Sequence, residues 1–325
     1  MNSQHYHPLH PDPAMQSIAE TESLNAEESL SRNGRSFAWA RRFLGHRQGN
    51  AAARLYALCR QLDDMADGDI TDGPQRLASI HADLQKDAAR PETTDPALAA
   101  ALPLIERLKL PKPVLTALIE GLLMDQQQVA IADQRALLRY AYRVAGTVGL
   151  LMLRVLDTAE PRAAAHAIDM GIAMQLTNIA RDVLEDAQMG RRYLPADWVG
   201  GMSAADISAA AAERDQHGCQ QIRDAVRRCL VLAETYYASG QVGLGYLPLR
   251  AHLAILVASR VYRQIGCQLL AKGCRFEDGR VVTTGLTKTY ITLAALPLMA
   301  CRLVPMQKHQ QQLHLALKGL PDVAG

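Results

Sequence analysis

Apolar residues recur along this 325-residue chain at the spacing of amphipathic α-helices. In the clearest case, 51–67, Leu55, Leu58 and Leu62 fall on one helical face, and Gly68 follows where a helix can end. Good helix formers such as Ala, Leu, Arg and Gln dominate, whereas the long Val/Ile/Thr alternations typical of strands are scarce. The pattern therefore predicts an all-α protein.

The same periodicity predicts further helices. Gly146 and Gly149 permit a close helix contact or a kink, and Gly171 is the weak point of a long helix. Between 70 and 96 the chain shows a Gly-Pro break, a short helical pattern and a polar loop. The helices predicted beyond that loop run from near Pro111 to Asp125, from Gln134 to about Leu156, and over 163–186, 204–212, 219–238, 250–270 and 286–300.

Composition restricts the domain organisation and the class of partner. Hydrophobic residues make up 49% of the chain, which is enough for one large core. The formal charge is +2, and the chain has no Lys/Arg run with interleaved aromatics, so nucleic-acid binding is not expected. We predict a disordered N-terminal tail at 1–28, one folded domain at 29–304 and a C-terminal tail at 305–325.

Three features of the sequence indicate where in the cell the protein is located. The first residues, MNSQHYHPLHPDPAMQ, lack the basic and apolar regions of a signal peptide. The six cysteines form no Cys-x-x-Cys pair, and the most apolar stretch, 289–301, is too short to span a bilayer. We therefore expect a cytoplasmic protein with reduced thiols that is at most peripheral on the inner face of the cell membrane.

Two acidic clusters have their side chains at helical spacing. Asp63 and Asp67 share a helix face, and Asn178, Asp182 and Asp186 repeat this spacing on a second helix. Like charges one turn apart repel, and carboxylate and amide oxygens suit Mg²⁺. A lone Asp-x-x-x-Asp pair is more often a solvated helix face, but the second cluster lies in a mostly apolar helix, where unpaired polar groups are costly. Together the clusters predict a site for a Mg²⁺-bound diphosphate.

The remaining charged and titratable residues support these clusters as the candidate site. Arg60 lies near the first cluster, Arg181 inside the second, and Arg191 in the Gly-containing loop that follows. Guanidinium groups bind phosphate oxygens in a forked arrangement and would help to stabilise a departing diphosphate. Histidines such as His81 and His166 have no partner at metal-ligand spacing, so the acidic clusters are the candidate metal sites.

Several stretches, in order along 31–290, resemble the signatures of the squalene/phytoene synthase family. The first aspartate-rich signature is matched by LYALCRQLDDMAD and the second by MGIAMQLTNIARDVLEDAQMGRRYLP. Three shorter segments are similar to family segments, namely SFAWA, GLLMDQQQ and YAYRVAGTVGLLM. The resemblance implies a single-domain isoprenoid-synthase helical bundle around a central cavity, with the aspartate clusters facing each other near its mouth.

The resemblance also implies a role for each matching residue. The Mg²⁺-diphosphate ligands would be Asp63, Asp67, Asn178, Asp182 and Asp186, with Mn²⁺ as an alternative ion, and the catalytic residues would be these four aspartates together with Tyr140. Several of the same positions are also ordinary packing sites, since a buried Tyr or Gln often only satisfies its polar tip. The substrate-binding residues would be Ser36, Tyr56, Arg60, Gln175, Asn178, Arg181, Arg191, Tyr262 and Arg280.

The resemblance is nearest to the bacterial phytoene-forming members and implies the head-to-head condensation of two geranylgeranyl diphosphates. Diphosphate leaves one substrate, the second attacks, and a cyclopropyl (prephytoene) diphosphate ionises again and loses a proton to give phytoene for carotenoid biosynthesis. The chain has no G-x-G-x-x-G fingerprint, and no NADPH is expected. Further hypotheses are a peripheral membrane contact through 290–304 and contacts with downstream carotenoid enzymes.

Two other functions stay open at this point. Members that form squalene, hydroxysqualene or dehydrosqualene join two farnesyl diphosphates and share the same aspartate clusters, so the chain length of the substrate is an expectation rather than a consequence of the motifs. A catalytically silent, membrane-associated assembly subunit is the second alternative. It would have no need for intact aspartates in both clusters, which this chain keeps.

Overall fold

The computed structural model describes residues 35–86, 93–158, 160–303 and 307–323, and these ranges are helical with no β-strand. The all-α prediction is confirmed, while the tail predicted at 1–28 lies outside the described residues. The α-helices are α1 Arg35–Arg41, α2 His46–Asp67, α3 Gly73–Gln85, α4 Pro96–Leu108, α5 Lys112–Met124, α6 Gln134–Ala141, α7 Thr147–Val155, α8 Ala163–Arg181, α9 Val183–Gln188, α10 Ala204–Glu213, α11 Gln216–Gly243, α12 Leu249–Ala271 and α13 Gly285–Ala295. The other helical segments are a π-helical turn, Tyr142–Gly146, and 3₁₀ segments at Leu244–Tyr246, Phe276–Asp278, Leu296–Leu303 and Gln311–Leu317.

Helix α8 is the central element of the bundle. It packs along α11 and also contacts α7, α12 and the π-helical turn. Ile172, Leu176 and Ile179 bury its apolar face in one continuous core. Helices α2, α5 and α7 contact one another on the other side, and α1 packs on α12. Because α8 touches so many elements, residues on its different faces meet different parts of the chain.

Two glycines allow α8 to approach the segment before it closely. A Cβ at Gly149 would lie 2.2 Å from the carbonyl oxygen of Ala167, and a Cβ at Gly171 would lie 2.2 Å from that of Ala145. Any side chain at either position would overlap the neighbouring backbone. The close contact predicted around Gly146 and Gly149 is present, and the π-helical turn ending at Gly146 is the local departure from α-geometry.

The sequence pattern did not predict helix α4. Its N-terminus carries two ordinary start signals, since the Asp95 side chain accepts a hydrogen bond from the Ala97 backbone N–H at 2.9 Å and Pro96 occupies the first turn. The prediction treated 70–96 as a broken segment and placed the next helix only near Pro111. The Asp-Pro pair in fact begins a helix rather than ending a loop.

The single long helix predicted over 163–186 is interrupted at Asp182, so this prediction was wrong in its continuity. Asp182 has φ −102° and ψ 12°, and the chain resumes as α9. Neighbouring side chains on a regular helix do not face each other, yet the Arg181 guanidinium pairs with the Asp182 carboxylate, with Nε 2.6 Å from Oδ1. The break accommodates this pair. Hydrogen bonds from Asp182 to Asn178 and from Asp186 to Asp182 continue across it.

The described residues of 305–325, the segment assigned to a C-terminal tail, pack on the bundle. The Tyr236 hydroxyl donates to the Leu313 carbonyl at 2.9 Å, and the Arg139 guanidinium donates to the Ala316 carbonyl at 3.1 Å. Leu317 is fully buried. These contacts join the end of the chain to α6 and α11.

One stretch, Gln134–Val155, is long and apolar enough to cross a membrane by length and composition alone. Half of its most apolar window is buried, and its helices pack against α5 and α8. The core helix of a bundle has the same properties. The stretch is therefore weak evidence for a membrane span.

We expect Gly171→Ala to destabilise the protein. Alanine is normally better than glycine inside a helix by about 1 kcal/mol, but here the added Cβ meets the Ala145 carbonyl, and such overpacking typically costs about 1–3 kcal/mol. Urea unfolding should show a lower free energy of unfolding. Gly285→Ala is the matched control, because no described heavy atom lies within 4 Å of its Cβ position. Equal stabilisation by both substitutions would contradict the close contact.

Candidate active site

A cavity of about 580 Å³ runs between α2, α5, α7, α8, α11 and α12. One end is lined by the acidic residues at the C-terminal ends of α2 and α8. The other end lies toward the beginning of α8 and is lined mainly by apolar side chains, among them Met152, Leu156, Met170, Leu244 and Leu247. The cavity therefore joins a highly charged end to a long apolar channel.

The structure brings almost all the predicted site residues to this cavity. Ser36 is the exception, because it lies on α1 outside the lining. Its neighbour Phe37 does line the cavity, and the Phe37 ring lies tilted against that of Tyr262 with centroids 5.1 Å apart. The predicted residues in the lining are Tyr56, Arg60, Asp63, Asp67, Tyr140, Gln175, Asn178, Arg181, Asp182, Asp186, Arg191, Tyr262 and Arg280.

The first acidic cluster occupies the last turn of α2. The helix ends at Gly68, which has a φ of 81°, a conformation that glycine adopts without strain. Arg60 bridges two carboxylates, with nitrogen–oxygen distances of 2.9 Å to Asp63 and 2.5 Å to Asp64. Arg191 reaches across from the loop after α9 and contacts Asp67 at 2.8 Å. This last ion pair joins the first acidic cluster to the loop that follows the second one.

The second acidic cluster lies at the break between α8 and α9. Two guanidinium groups hold Asp182, because Arg181 pairs with it from the adjacent position and Arg280 approaches to 3.0 Å from the segment before α13. The Asn178 amide nitrogen is 3.4 Å from Gln175 Oε1, whereas the Asn178 Oδ1 atom is buried and has no hydrogen-bond partner among the described residues. An unpartnered buried oxygen beside carboxylates is a donor atom available to a ligand.

The acidic residues strongly perturb one another. Burial raises the pKa of Asp63 to about 6, and the nearby Asp67 carboxylate adds to this rise. Burial raises the pKa of Asp186 to about 8, with Asp182 as the next cause. Both pKa values rise even though arginines lie nearby, so the arginines do not fully compensate the negative charge. The site favours further positive charge when its carboxylates are ionised.

Asp125 and Tyr193 are site residues that the sequence analysis did not select. Asp125 is buried at the end of α5 and accepts hydrogen bonds from the hydroxyls of Tyr140 at 2.9 Å and Tyr193 at 2.7 Å. Burial raises the pKa of Asp125 to about 6, against the opposing effect of these two bonds. The two tyrosine rings stack with centroids 4.9 Å apart. The signal was present, since Asp125 is the aspartate of the matched segment GLLMDQQQ.

A short backbone pairing positions the loop that carries Arg191 and Tyr193. The Arg192 N–H donates to the Val129 carbonyl at 2.8 Å, and the Ile131 N–H donates to the Arg192 carbonyl at 3.1 Å. The chain on either side of Arg192 is therefore fixed to the segment after α5. This contact sets Arg191 toward the first acidic cluster and Tyr193 toward Asp125.

Comparison with known proteins finds relatives along most of the chain. The squalene/phytoene synthase family matches residues 30–287. A 15-cis-phytoene synthase of Paracoccus sp. (strain N81106 / MBIC 01143) is 34% identical over 276 residues, 82% of this chain and 88% of that protein. A 15-cis-phytoene synthase of Pantoea ananas is 34% identical over 282 residues, 83% of this chain and 90% of that protein.

A solved structure shows the same fold. A dehydrosqualene synthase in complex with ligand superposes with a TM-score of 0.74 at 23% identity, over 89% of this chain and 99% of that one. This likeness confirms the isoprenoid-synthase bundle expected from the sequence. With the family match extending over most of the chain, it follows that the protein belongs to the squalene/phytoene synthase family.

Proposed function

We propose that the protein is a prenyl transferase that joins two geranylgeranyl diphosphates head to head and forms phytoene, for carotenoid biosynthesis. The observation that carries this proposal is the pairing of two acidic clusters and their arginines at one end of a long apolar cavity. The relatives that match most of the chain at 34% identity are phytoene synthases, which favours the C40 product over a C30 product.

The charged end of the cavity suits the departure of diphosphate. Arg60, Arg181, Arg191 and Arg280 place four guanidinium groups beside the two clusters. Preorganised cations at a leaving group stabilise the charge that develops there, and arginine can bind two phosphate oxygens at once. These four arginines now pair with carboxylates of the two clusters. A bound metal ion would contact the same carboxylates.

We further propose Mg²⁺ as the metal, with Mn²⁺ as an alternative ion. Asp63, Asp67, Asn178, Asp182 and Asp186 would hold it, because their oxygens are the donors that hard cations prefer. The unpartnered Asn178 Oδ1 and the raised pKa values of Asp63 and Asp186 support this assignment. Bound Mg²⁺ would supply charge stabilisation to the leaving diphosphate.

The remainder of the cavity would hold and protect the prenyl chains. Carbocations react readily with water, so an apolar lining that excludes water favours carbon–carbon bond formation. The small residues Ala145 and Gly149 line the cavity where α7 and the π-helical turn meet α8, while Met152 and Met170 offer adaptable apolar surface. Asp125, held by Tyr140 and Tyr193, adds a fixed carboxylate to the charged end.

Product analysis tests the proposed reaction. Purified protein is incubated with Mg²⁺ and either geranylgeranyl or farnesyl diphosphate, with and without NADPH, and the hydrocarbons are identified by chromatography and mass spectrometry. We expect a C40 product with the central triene of phytoene, formed without NADPH. We also expect Asp182→Ala to lower kcat by roughly 10²–10³-fold, because it removes one ligand of the leaving-group site.

Asp224→Ala is the matched control for this experiment, because Asp224 is exposed on α11, away from the cavity lining, and accepts a hydrogen bond from the nearby Gln220. It should keep full activity, and circular dichroism should show both variants folded. A C30 product would retain the reaction and overturn the substrate. Absence of diphosphate release from either substrate would instead favour the silent assembly subunit.

The raised carboxylate pKa values predict how stability depends on pH without metal. In the folded protein the pKa values of Asp63 and Asp186 rise from 3.8 to about 6 and about 8. Above pH 4 the folded state therefore binds more protons than the unfolded state, and stability falls as pH rises toward 8. One such group contributes at most about 1.4 kcal/mol per pH unit.

Thermal unfolding in EDTA should thus show a lower Tm at pH 8 than at pH 6, and Mg²⁺ should raise Tm more at pH 8. Asp186→Asn removes one of the titrating groups, so its Tm should vary less with pH and respond less to Mg²⁺. Histidines and other groups contribute equally to both proteins and cancel in the comparison. Parallel pH profiles for the two proteins would contradict the assignment.

We also propose that α13 contacts a membrane surface. Its residues Leu286, Tyr290 and Leu293 are 86%, 73% and 61% exposed, and together with Leu296 they follow one helical face. An exposed apolar face of this kind is typical of an interfacial helix. The substrates and the product are lipid-like, which gives such a contact a purpose. Packing against another protein is the competing explanation.

Flotation with liposomes tests this contact. The wild-type protein should float with the vesicles, and the combined substitution of Leu286, Tyr290 and Leu293 by serine should largely abolish flotation. Val231→Ser with Leu315→Ser is the control, because these side chains are also exposed, at 60% and 56%, but lie elsewhere. Failure of the wild type to float at both low and high salt would reject the proposal.

A further inference from the structure

A second group of ligand-type side chains lies outside the aspartate-lined cavity. Asp169 projects from α8, and His309 and His314 come from the C-terminal segment, about 140 residues away in sequence. Each histidine Nε2 lies 2.8 Å from a different oxygen of the Asp169 carboxylate. The three ligand atoms lie within 4.8 Å of one another. We call this group the Asp169 cluster.

Burial makes the Asp169 cluster unusual. Asp169 is fully buried, His314 is 3% exposed, and the His309 side chain is 13% exposed. A buried carboxylate is costly unless it is paired or bound to a metal. Burial acts to raise the pKa of Asp169, but hydrogen bonds from His309 and His314 outweigh it, so the pKa lies below its usual value. The two histidine nitrogens that face the Asp169 carboxylate are thus its main partners, and all three groups are metal-ligand types.

The Asp169 cluster is separate from the proposed Mg²⁺ site. Asp169 precedes Asn178 by nine positions, so the two side chains lie on opposite faces of α8. Of the residues that the structure describes, those that line the cavity do not include Asp169. The donor atoms also differ. Two imidazole nitrogens and one carboxylate suit a borderline transition-metal ion, whereas the oxygen-rich acidic clusters suit Mg²⁺.

We propose that Asp169, His309 and His314 form a binding site for a divalent transition-metal ion, with Zn²⁺ as the ion of first choice. Two histidines and one carboxylate leave a fourth position for water, a common arrangement around zinc. The spacing His-x-x-x-x-His between His309 and His314 is also within the range found for zinc ligands. The metal would fasten the C-terminal segment to α8.

The three ligand atoms would have to rearrange to accept the ion, because they now lie within 4.8 Å of one another and each histidine faces a different carboxylate oxygen. Zinc bonds of about 2.0–2.1 Å to nitrogen and oxygen would hold tetrahedral ligand atoms about 3.3 Å apart. The two histidine nitrogens would therefore each move back from the carboxylate by about half an ångström relative to their present 2.8 Å contacts. The ion would take the place of the shared hydrogens between the three groups.

Surrounding residues already orient these ligands. The Ser239 hydroxyl donates to Asp169 Oδ2, and the Ser239 carbonyl accepts a hydrogen bond from His166 Nδ1 at 2.8 Å. The His166 ring in turn lies edge-on to the ring of His309, with centroids 5.2 Å apart. Partners that bond to a ligating carboxylate or fix a ring orientation are usual around metal sites. They limit the rearrangement that binding would require.

Zinc binding to the full-length protein, purified without a histidine tag and freed of metal with EDTA, tests this proposal. We expect one Zn²⁺ per chain by calorimetry, a visible absorption spectrum of tetrahedral type with Co²⁺, and a higher Tm with Zn²⁺. His314→Gln and His309→Gln should each weaken binding more than the roughly 10–100-fold caused by loss of a residue that only orients a ligand. Glutamine keeps a hydrogen-bond donor toward Asp169.

The N-terminal histidines His5, His7 and His10 offer a competing site, so their combined replacement by asparagine is the matched control. This control protein should still bind one Zn²⁺ per chain, show the tetrahedral Co²⁺ spectrum and have a higher Tm with Zn²⁺. If zinc binding is lost there and retained in His314→Gln, the proposal is overturned. It is equally overturned if the wild type binds no zinc at micromolar zinc concentrations. The Asp169 cluster would then only hold the C-terminal segment to α8 by hydrogen bonds. None of these readouts depends on prenyl transfer.

Discussion

The crowding of ionised carboxylates at one end of α2 and α8 is the constraint on which the site depends. Burial and mutual repulsion raise the pKa values of Asp63 and Asp186, and four arginines reduce this repulsion without removing it. Such an arrangement is costly to the folded state unless the carboxylates are protonated or further positive charge binds. Under the proposed function, the binding of a metal ion and a diphosphate would offset this local instability.

The packing of α8 holds this charged end in place. Gly149 and Gly171 let its backbone touch the preceding segment, so the helix has little freedom to shift along its axis. The break at Asp182 then turns the last carboxylates relative to the helix, and ion pairs from Arg181 and Arg280 fix Asp182 in that position. A rigid scaffold and a local irregularity together determine where the acidic side chains stand.

Most of the fold and most of the site could be predicted from the sequence, because helical periodicity and the two aspartate signatures are local signals. Tyr56, Tyr262 and the arginines reached the cavity as expected. The break at Asp182 could not be predicted from spacing, because Asp182 pairs with its neighbour Arg181 and with Arg280, almost one hundred residues away, and helical spacing carries no information about either contact. Ser36 shows that a motif match does not by itself predict side-chain position, because the matched segment SFAWA did not place Ser36 in the cavity lining.

Each of two faces of α8 has a buried or half-buried carboxylate that must be paired, and the pairing groups differ between the faces. A buried or half-buried carboxylate needs a positive or hydrogen-donating partner, and the chain supplies arginines toward the cavity and histidines toward the C-terminal segment. Arginine stays protonated and can move its charge onto a phosphate, which suits a site that must exchange ligands. Histidine can release its proton and bind a transition metal, which suits a lasting attachment of one segment to another. Under the two proposals, the contacts toward the cavity would open during turnover and those toward the C-terminal segment would not, which matches the partner found on each face.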